Sequence, residues 1–199
     1  MDTRTAIPRT ATRDRALDAA HACILEIGAG RTTMVEVARR SGLGRTTLYR
    51  HWPDITALFA DLLTRELTAA VSRVDPALPD STPLETDALA DTLCAVADQI
   101  RTDPLLDAMR RDESGLLAEY ILRRLGASQR ALIDVLRDAL DRMFAADPAH
   151  AGRAAAPTAT MLYLAVQGAV LSAPLADPPL DPDTWRAELR RLIRGYLQP

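Results

Sequence analysis

The fold of this chain is decided by one stretch, residues 33–52, which reads TMVEVARRSGLGRTTLYRHW. Thr33 followed three residues later by Glu36 fits a capping box, in which a hydroxyl and a carboxylate satisfy free amides at a helix start. Gly42 then breaks the helical pattern, because glycine tolerates the left-handed conformation that ends a helix. The stretch therefore predicts a short helix, a glycine turn and a second short helix that begins near Gly44 or Arg45.

The second predicted helix is rich in hydrogen-bond donors. Leu48 and Trp52 lie four residues apart and serve as its apolar anchors. Its other side chains are mainly polar or basic, which suits a helix that enters the major groove of DNA with its N-terminal residues at base edges. These donors are Arg45, Thr46, Thr47, Tyr49, Arg50 and His51.

Charge is distributed unevenly along the 199 residues. The net charge is −3, yet residues 1–52 hold nine Arg against five acidic residues, a balance of +4, and the remainder carries −7. Phosphate charge acts within a Debye length of about 8–10 Å, so the local positive balance matters more than the acidic total. The basic end of the chain is the end that holds the predicted helix-turn-helix.

The rest of the sequence predicts further helices. Apolar residues recur at helical spacing in residues 14–27, 53–74, 84–102, 104–112, 114–125, 128–146, 158–172 and 183–197, and residues 75–83 predict a loop. No strand-like alternation of comparable length occurs. We therefore expect an all-α protein with a three-helix domain over residues 1–52, which includes an unstructured arm at 1–12, and a helical domain over residues 53–199.

The sequence resembles the N-terminal domain of the tetracycline-repressor (TetR) family of one-component regulators. The resemblance runs from Arg15 to Leu58 through Gly28, Thr32-Thr33, Val37-Ala38, Ser41-Gly42-Leu43, Leu48 to Pro53 and Ala57-Leu58-Phe59. It implies DNA contacts from Arg45, Thr46 and Thr47 to bases and from Thr33, Tyr49 and His51 to phosphates. Arg50 belongs to the predicted DNA-binding set as a further donor of the same helix. Two positions depart from the family pattern: Ile55 replaces a common lysine, and Gly44 replaces a common serine cap.

The resemblance also implies a homodimer in which the last two helices pair with their copies. The residues expected at that interface are Met161, Leu164, Ala165, Gly168, Leu171, Trp185, Leu189, Leu192, Ile193 and Tyr196. The alternative is that the stripe that starts at Trp185 packs only inside one subunit. A dimer would set two recognition helices about one DNA turn apart, or a multiple of it, so the operator should be an inverted repeat.

A small-molecule pocket is expected between helices of the second domain, because helical bundles hold ligands between facing helices. Its candidate residues are Leu93, Val96, Ile100, Met109, Leu116, Tyr120, Met161, Tyr163 and Gln167. Tyr120 and Gln167 would supply hydrogen bonds, and simple core packing is the alternative for every member. An aromatic content of 4% favours an aliphatic or mixed ligand.

Catalytic and metal-binding patterns are missing from the sequence. The three histidines lack metal-ligand spacing, and neither a P-loop nor a G-x-S-x-G elbow occurs. Cys23 and Cys94 are interpreted as buried free thiols in a reducing cytoplasm, since no export signal precedes them. The uncharged run at residues 154–176 is too interrupted for a membrane span and predicts a buried helix. We therefore expect neither an enzyme nor a metal or other cofactor.

These features together predict a cytoplasmic, homodimeric transcriptional regulator, a repressor that a small molecule releases from DNA. An activator and a regulator without a ligand are variants of the same hypothesis. The alternative is an all-helical small-molecule-binding or enzymatic domain in which residues 33–52 form a packed hairpin. The positive N-terminal balance disfavours that alternative, as do Arg and Thr at positions where a packing helix would carry Leu and Ala.

Overall fold

The computed structural model describes residues 9–74, 85–111 and 127–198 of the chain. These residues form helices joined by turns, without a strand among them, which confirms the predicted all-α class. The helices are α1 (Arg9–Ile27), α2 (Met34–Ser41), α3 (Arg45–His51), α4 (Ile55–Val74), α5 (Thr86–Arg101), α6 (Pro104–Arg111), α7 (Ala127–Ala146), α8 (Ala155–Ser172) and α9 (Pro182–Leu197).

The first described helix begins within the region where the sequence predicts an unstructured arm. Helix α1 begins at Arg9, so residues 9–12 are helical and the prediction of an arm over 1–12 is wrong for them. The reason is packing, because Thr12 is buried within the folded chain. The rest of the arm, the loop predicted at 75–83 and the helix predicted at 114–125 lie outside the described residues.

Local capping explains where several helices start. The Asp54 carboxylate accepts a hydrogen bond from the Ala57 amide at 2.7 Å at the start of α4. Asp181 does the same for α9, where its carboxylate accepts from the amides of Asp183 and Thr184. Such caps satisfy amides that a helix start otherwise leaves unpaired. Asp181 is therefore the N-cap of α9, and Asp183 lies in its first turn.

The first compact unit comprises residues 9–65 and 104–111 of the described chain. Helices α1 to α3, the start of α4, and α6 enclose one apolar core. Its fully buried members include Ile24, Val37, Leu48, Leu58, Leu62 and Leu105. Burial of each large aliphatic side chain contributes about 1.5–3 kcal/mol, so this core fixes where the turn between α2 and α3 lies.

The second compact unit comprises residues 66–74, 85–103 and 127–198 of the described chain. Helix α7 packs along α8, and α5 packs against both α8 and α9. Its fully buried side chains include Leu89, Leu140, Leu162, Ile193 and Leu197. The boundary that the sequence predicts between residues 52 and 53 stays a prediction.

A row of ion pairs joins α5 to α9 within the second unit. Asp87 pairs with Arg194 at 2.6 Å, Asp91 with Arg190 at 2.5 Å, and Asp98 with Arg186 at 3.0 Å. These side chains are partly exposed, so each pair alone contributes little to stability. Together they run alongside the apolar contact between the two helices.

Helix α8 is more exposed than the sequence predicts. The stretch Ala155–Leu175 is long and apolar enough to cross a membrane by length and composition, and it is the one such stretch among the described residues. Only 22% of its apolar window is buried, so the prediction of a buried helix is wrong for the single chain. One face, with Ala159, Leu162 and Val170, packs inside, whereas Met161 and Leu164 lie at the surface.

Candidate nucleic-acid interface

Thr33 caps the start of α2 as the sequence predicts. Its hydroxyl accepts a hydrogen bond from the Glu36 amide at 3.2 Å. The Glu36 carboxylate accepts hydrogen bonds from the guanidinium groups of Arg39 and Arg40, at 2.7 and 2.8 Å. These hydrogen bonds, led by the one from Arg39, lower the pKa of Glu36 from 4.5 to about 2. The hydrogen bond of the Thr33 hydroxyl in the predicted capping box is therefore formed. The Glu36 carboxylate instead binds two arginine side chains.

The turn after α2 depends on Gly42 and on a side chain from α1. Gly42 adopts φ 65° and ψ 21°, the left-handed conformation that the sequence predicts for it. The Arg15 guanidinium donates to the Ser41 carbonyl at 2.6 Å, which satisfies a free acceptor at the end of α2. A Cβ atom at position 42 would lie 3.2 Å from that guanidinium nitrogen. The left-handed conformation of Gly42 and the hydrogen bond from Arg15 thus both stabilise the turn.

Helix α3 buries its two predicted anchors and exposes its polar side chains. Leu48 is 1% exposed and Trp52 is 2% exposed, whereas Tyr49 is 52% exposed. Arg45, Thr46 and Arg50 are exposed as well, and Thr47 and His51 are half-buried. Gly44, in extended conformation, occupies the cap position without a side-chain bond. Of the seven residues of α3, only Leu48 is buried, and the other six are polar and exposed or half-buried.

The arginines of α3 differ from those of α2. Arg39 and Arg40 are engaged by Glu36, and Arg40 also pairs with Glu26. Across the described part of the chain, neither Arg45 nor Arg50 forms an ion pair. An exposed guanidinium without a carboxylate partner keeps its full charge and donors for phosphate or base acceptors. Arg45 and Arg50 therefore give α3 two exposed positive charges that no carboxylate of the described residues pairs with.

Sequence reasoning missed the side chains that attach α3 to the rest of the unit. The Trp52 indole nitrogen donates to Asp61 of α4 at 2.5 Å, and Arg13 of α1 pairs with the same carboxylate at 2.7 Å. Arg15, which supports the turn, was missed as well. Because the bond from Arg15 spans 26 residues, no local pattern could have indicated it.

The residues predicted for a pocket are not all in one unit. Met109 is 3% exposed in the core of the first unit, where it packs with α1 and α4 residues. In the second unit Val96 is buried, Leu93, Ile100, Tyr163 and Gln167 are half-buried, and Met161 is exposed. Leu116 and Tyr120 lie outside the described residues. Four members of the predicted set on α5 and α8 are thus half-buried, and the assignment of the set to a pocket stays a prediction.

The residues predicted for a dimer interface divide between two faces. Trp185, Leu189 and Ile193 are buried within the single chain, so for them the alternative of packing inside one subunit is the observed arrangement. The exposed members are Met161, Leu164, Gly168, Leu192 and Tyr196, and Ala165 and Leu171 are half-buried. Buried and exposed apolar residues alternate around α9 because one of its faces packs on α5.

The described residues hold no other cluster with evident chemistry. No group of three or more His, Cys, Asp or Glu side chains among them could hold a metal ion. Cys23 and Cys94 are buried free thiols, and burial raises the pKa of each above 9.0. A raised pKa keeps both thiols protonated and poorly nucleophilic at neutral pH.

Comparison with known proteins agrees with this geometry. The family model described as bacterial regulatory proteins, tetR family, matches residues 16–62. An uncharacterized HTH-type transcriptional regulator of Mycobacterium bovis, Mb2274c, is 36% identical over 192 residues, which cover 95% of this chain and 96% of the relative. This relative shares nearly its full length with the chain.

Solved structures share the fold at low sequence identity. A TetR-family transcriptional regulator from Pectobacterium atrosepticum superimposes with a TM-score of 0.69 at 19% identity and covers 98% of this chain and 96% of its own. SmeT in complex with triclosan gives a TM-score of 0.64 at 21% identity, with 93% of this chain and 90% of that chain covered. At this identity the likeness shows the fold alone.

Proposed function

The chain belongs to the TetR family of helix-turn-helix transcriptional regulators, and from this premise we propose that it is a repressor that binds an inverted-repeat operator as a homodimer and leaves DNA when a small molecule binds. The observation that carries the proposal is the surface of α3, with exposed Arg45, Thr46, Tyr49 and Arg50 over the buried anchors Leu48 and Trp52. A helix anchored on one side and rich in donors on the other suits the major groove.

Within this interface we assign roles by position along α3. Arg45, Thr46 and Thr47 form the first turn and approach base edges, where an arginine can donate two hydrogen bonds to one guanine. Thr33, Tyr49 and His51 contact phosphates, and Arg50 adds positive charge beside them.

The proposed dimer accounts for the exposed apolar face of the second unit. Met161 and Leu164 of α8 and Leu192 and Tyr196 of α9 are each between 39% and 52% exposed in the single chain. Clusters of large apolar side chains at a surface mark protein contacts. We assign a second copy of the chain as the occupant, since a two-fold symmetric pair of such faces would also place two α3 helices on an inverted repeat.

The effector would act on the second unit. SmeT has been solved in complex with triclosan, and the half-buried side chains Leu93, Ile100, Tyr163 and Gln167 are where we propose that an effector of this chain binds. Its effect would be a population shift, because a ligand that prefers the state with misplaced α3 helices weakens DNA binding by its differential affinity. The proposal includes a cytoplasmic location and no catalytic activity.

The first test is fluorescence anisotropy of the purified chain on DNA from upstream of its own gene, against scrambled DNA, across a salt series. We expect tight binding that weakens with salt and favours the upstream DNA, because phosphate contacts release counterions and base contacts give selectivity. Equal, weak binding to both DNAs would place the operator elsewhere and contradict control of its own gene. Absence of binding at low salt would favour the helical small-molecule binder instead.

A further inference from the structure

One carboxylate joins three helical elements of the first unit. The Asp61 Oδ2 atom, on α4, accepts a hydrogen bond from the Trp52 indole at 2.5 Å. The same oxygen forms an ion pair with the Arg13 guanidinium at 2.7 Å. Trp52 follows the last residue of α3, and its amide donates to the Leu48 carbonyl at 2.9 Å. Asp61 therefore connects the end of α3 to both α1 and α4 through one oxygen atom.

Because Trp52 is buried, its indole N–H depends on the hydrogen bond to Asp61. The residue is 2% exposed, and an indole has one donor and no acceptor. A buried donor that loses its acceptor keeps its full desolvation cost, and a charged acceptor forms a bond roughly twice as strong as a neutral one. Arg13 neutralises the carboxylate at the edge of the core, where the Asp61 side chain is 30% exposed. The arrangement holds the indole ring in one orientation.

The orientation of the ring bears on DNA recognition because α3 is short. Leu48 and Trp52 are its two buried anchors, and apolar contact by itself is non-directional. A hydrogen bond at the edge of the indole adds the direction that apolar packing lacks. Arg45 is the first residue of a helix only seven residues long that ends next to Trp52, so a rotation of α3 at the ring displaces Arg45 as well.

We propose that Asp61 is a positioning residue for DNA recognition, which fixes the rotation of α3 through the Trp52 indole and so aims Arg45 and Thr46 at the bases. This inference rests on the proposed function, since it concerns the same interface. It assigns to Asp61 no contact with DNA. Arg13 supports the carboxylate from α1.

The charge of Asp61 by itself predicts the opposite effect on DNA affinity. Removal of an acidic side chain from a DNA-binding unit should strengthen binding to DNA through reduced repulsion of phosphates. Loss of a positioning bond should weaken binding to the operator. Asp18 provides a matched control, because it pairs with Arg65 at 2.7 Å across the same two helices, α1 and α4, without an indole partner.

The test compares Asp61→Ala, Asp61→Asn, Asp18→Ala and Trp52→Phe by anisotropy on operator and scrambled DNA, with circular dichroism to verify folding. We expect Asp61→Ala to bind operator about tenfold more weakly with scrambled DNA unaffected or bound more tightly. Asp61→Asn should recover most of the affinity, because its amide oxygen still accepts from the indole. Asp18→Ala should bind as the wild type does or more tightly.

A double variant separates positioning through Trp52 from a general structural effect. On the Trp52→Phe background, Asp61→Ala should cause little further loss on operator DNA, because the bond is already absent. The indole N–H resonance of Trp52, assigned with the aid of Trp185→Phe, should move in Asp61→Ala and stay in Asp18→Ala. A fixed resonance, or additive losses in the double variant, would overturn the inference.

The outcomes also separate this inference from the proposed function. Wild-type protein that binds operator, together with Asp61→Ala that binds as well as Asp18→Ala does, would overturn the role of Asp61 alone. Wild-type protein without any DNA binding would overturn the proposed function and this inference with it. If Asp61→Ala does not fold, Asp61→Asn and Trp52→Phe decide the question. Trp52→Phe that keeps its affinity for operator DNA relative to scrambled DNA would also contradict positioning.

Discussion

At the scale of single residues, Arg45 lies exposed in the first turn of α3, without an ion-pair partner among the described residues. Arg45→Ala should remove base readout and reduce the preference for operator over scrambled DNA by about 1–3 kcal/mol if the contact is bidentate. Anisotropy on both DNAs measures the preference. Arg191→Ala is a matched control, since this 77% exposed arginine lies on α9; equal effects of the two variants would defeat the assignment.

Substitution of Tyr49 should weaken binding to all DNA sequences by a similar factor. Its side chain is 52% exposed on α3, and we propose that its hydroxyl donates a hydrogen bond to a phosphate. Tyr49→Phe keeps the ring and removes that donor, so binding to every DNA sequence should weaken by a similar factor. Titrations on operator and scrambled DNA provide the comparison, and a loss confined to operator would argue for a base contact instead.

Glu36 gives the interface a pH dependence of stability. Hydrogen bonds from Arg39 and Arg40 lower the pKa of Glu36 from 4.5 to about 2, so the folded state favours the ionised carboxylate. The resulting stabilisation is present above pH 4.5 and is lost as pH falls toward about 2. Wild type and Glu36→Gln should therefore differ in stability at pH 6 and converge near pH 2.

Urea unfolding across that pH range measures the convergence. Arg39→Ala serves as the companion variant, because it removes the largest cause of the lowered pKa and should flatten the same pH dependence. A stability difference between wild type and Glu36→Gln that stays constant from pH 6 to pH 2 would contradict the prediction.

At the scale of secondary-structure elements, the turn between α2 and α3 tolerates little change at Gly42. A side chain there would occupy φ 65° and would approach Arg15 to 3.2 Å, where Arg15 already holds the Ser41 carbonyl. Gly42→Ala should destabilise the chain by about 1–2 kcal/mol and weaken operator binding, because the left-handed conformation is strained and Arg15 must move.

Gly152 offers a control for that substitution. It also has a positive φ, 82°, but a Cβ atom at position 152 would meet nothing within 4 Å. Gly152→Ala should therefore cost the backbone strain alone, measured by urea unfolding, with operator binding unchanged. If both variants lose DNA binding equally, the turn has no special role.

At the scale of the whole molecule, the exposed apolar face of α8 and α9 sets the expected assembly. Leu164→Asp places a charge within that face, so the chain, which has a mass of 21.7 kDa, should change from dimer to monomer and lose tight operator binding. Light scattering after size exclusion reports the mass. Leu25→Asp is the matched control, since Leu25 of α1 is 45% exposed and Leu164 44%; a monomeric wild type would contradict the dimer outright.

The sequence by itself determined the helical class and the position of the helix-turn-helix, because those signals are local. The Thr33 cap, the Gly42 turn and the anchors Leu48 and Trp52 all act within a few residues, and the structure forms each of them. The donor-rich character of α3 is likewise a property of consecutive residues. The assignment of those donors to bases and phosphates stays a prediction.

Tertiary structure alone decided which faces are covered and what holds α3 in place. Periodicity placed all five large apolar residues of α9 on one stripe, whereas packing on α5 buried Trp185, Leu189 and Ile193 and left Leu192 and Tyr196 exposed. It also brought Arg13, Trp52 and Asp61 together from three elements. Contacts between residues far apart in sequence depend on how all the helices pack, so no short-range pattern encodes them.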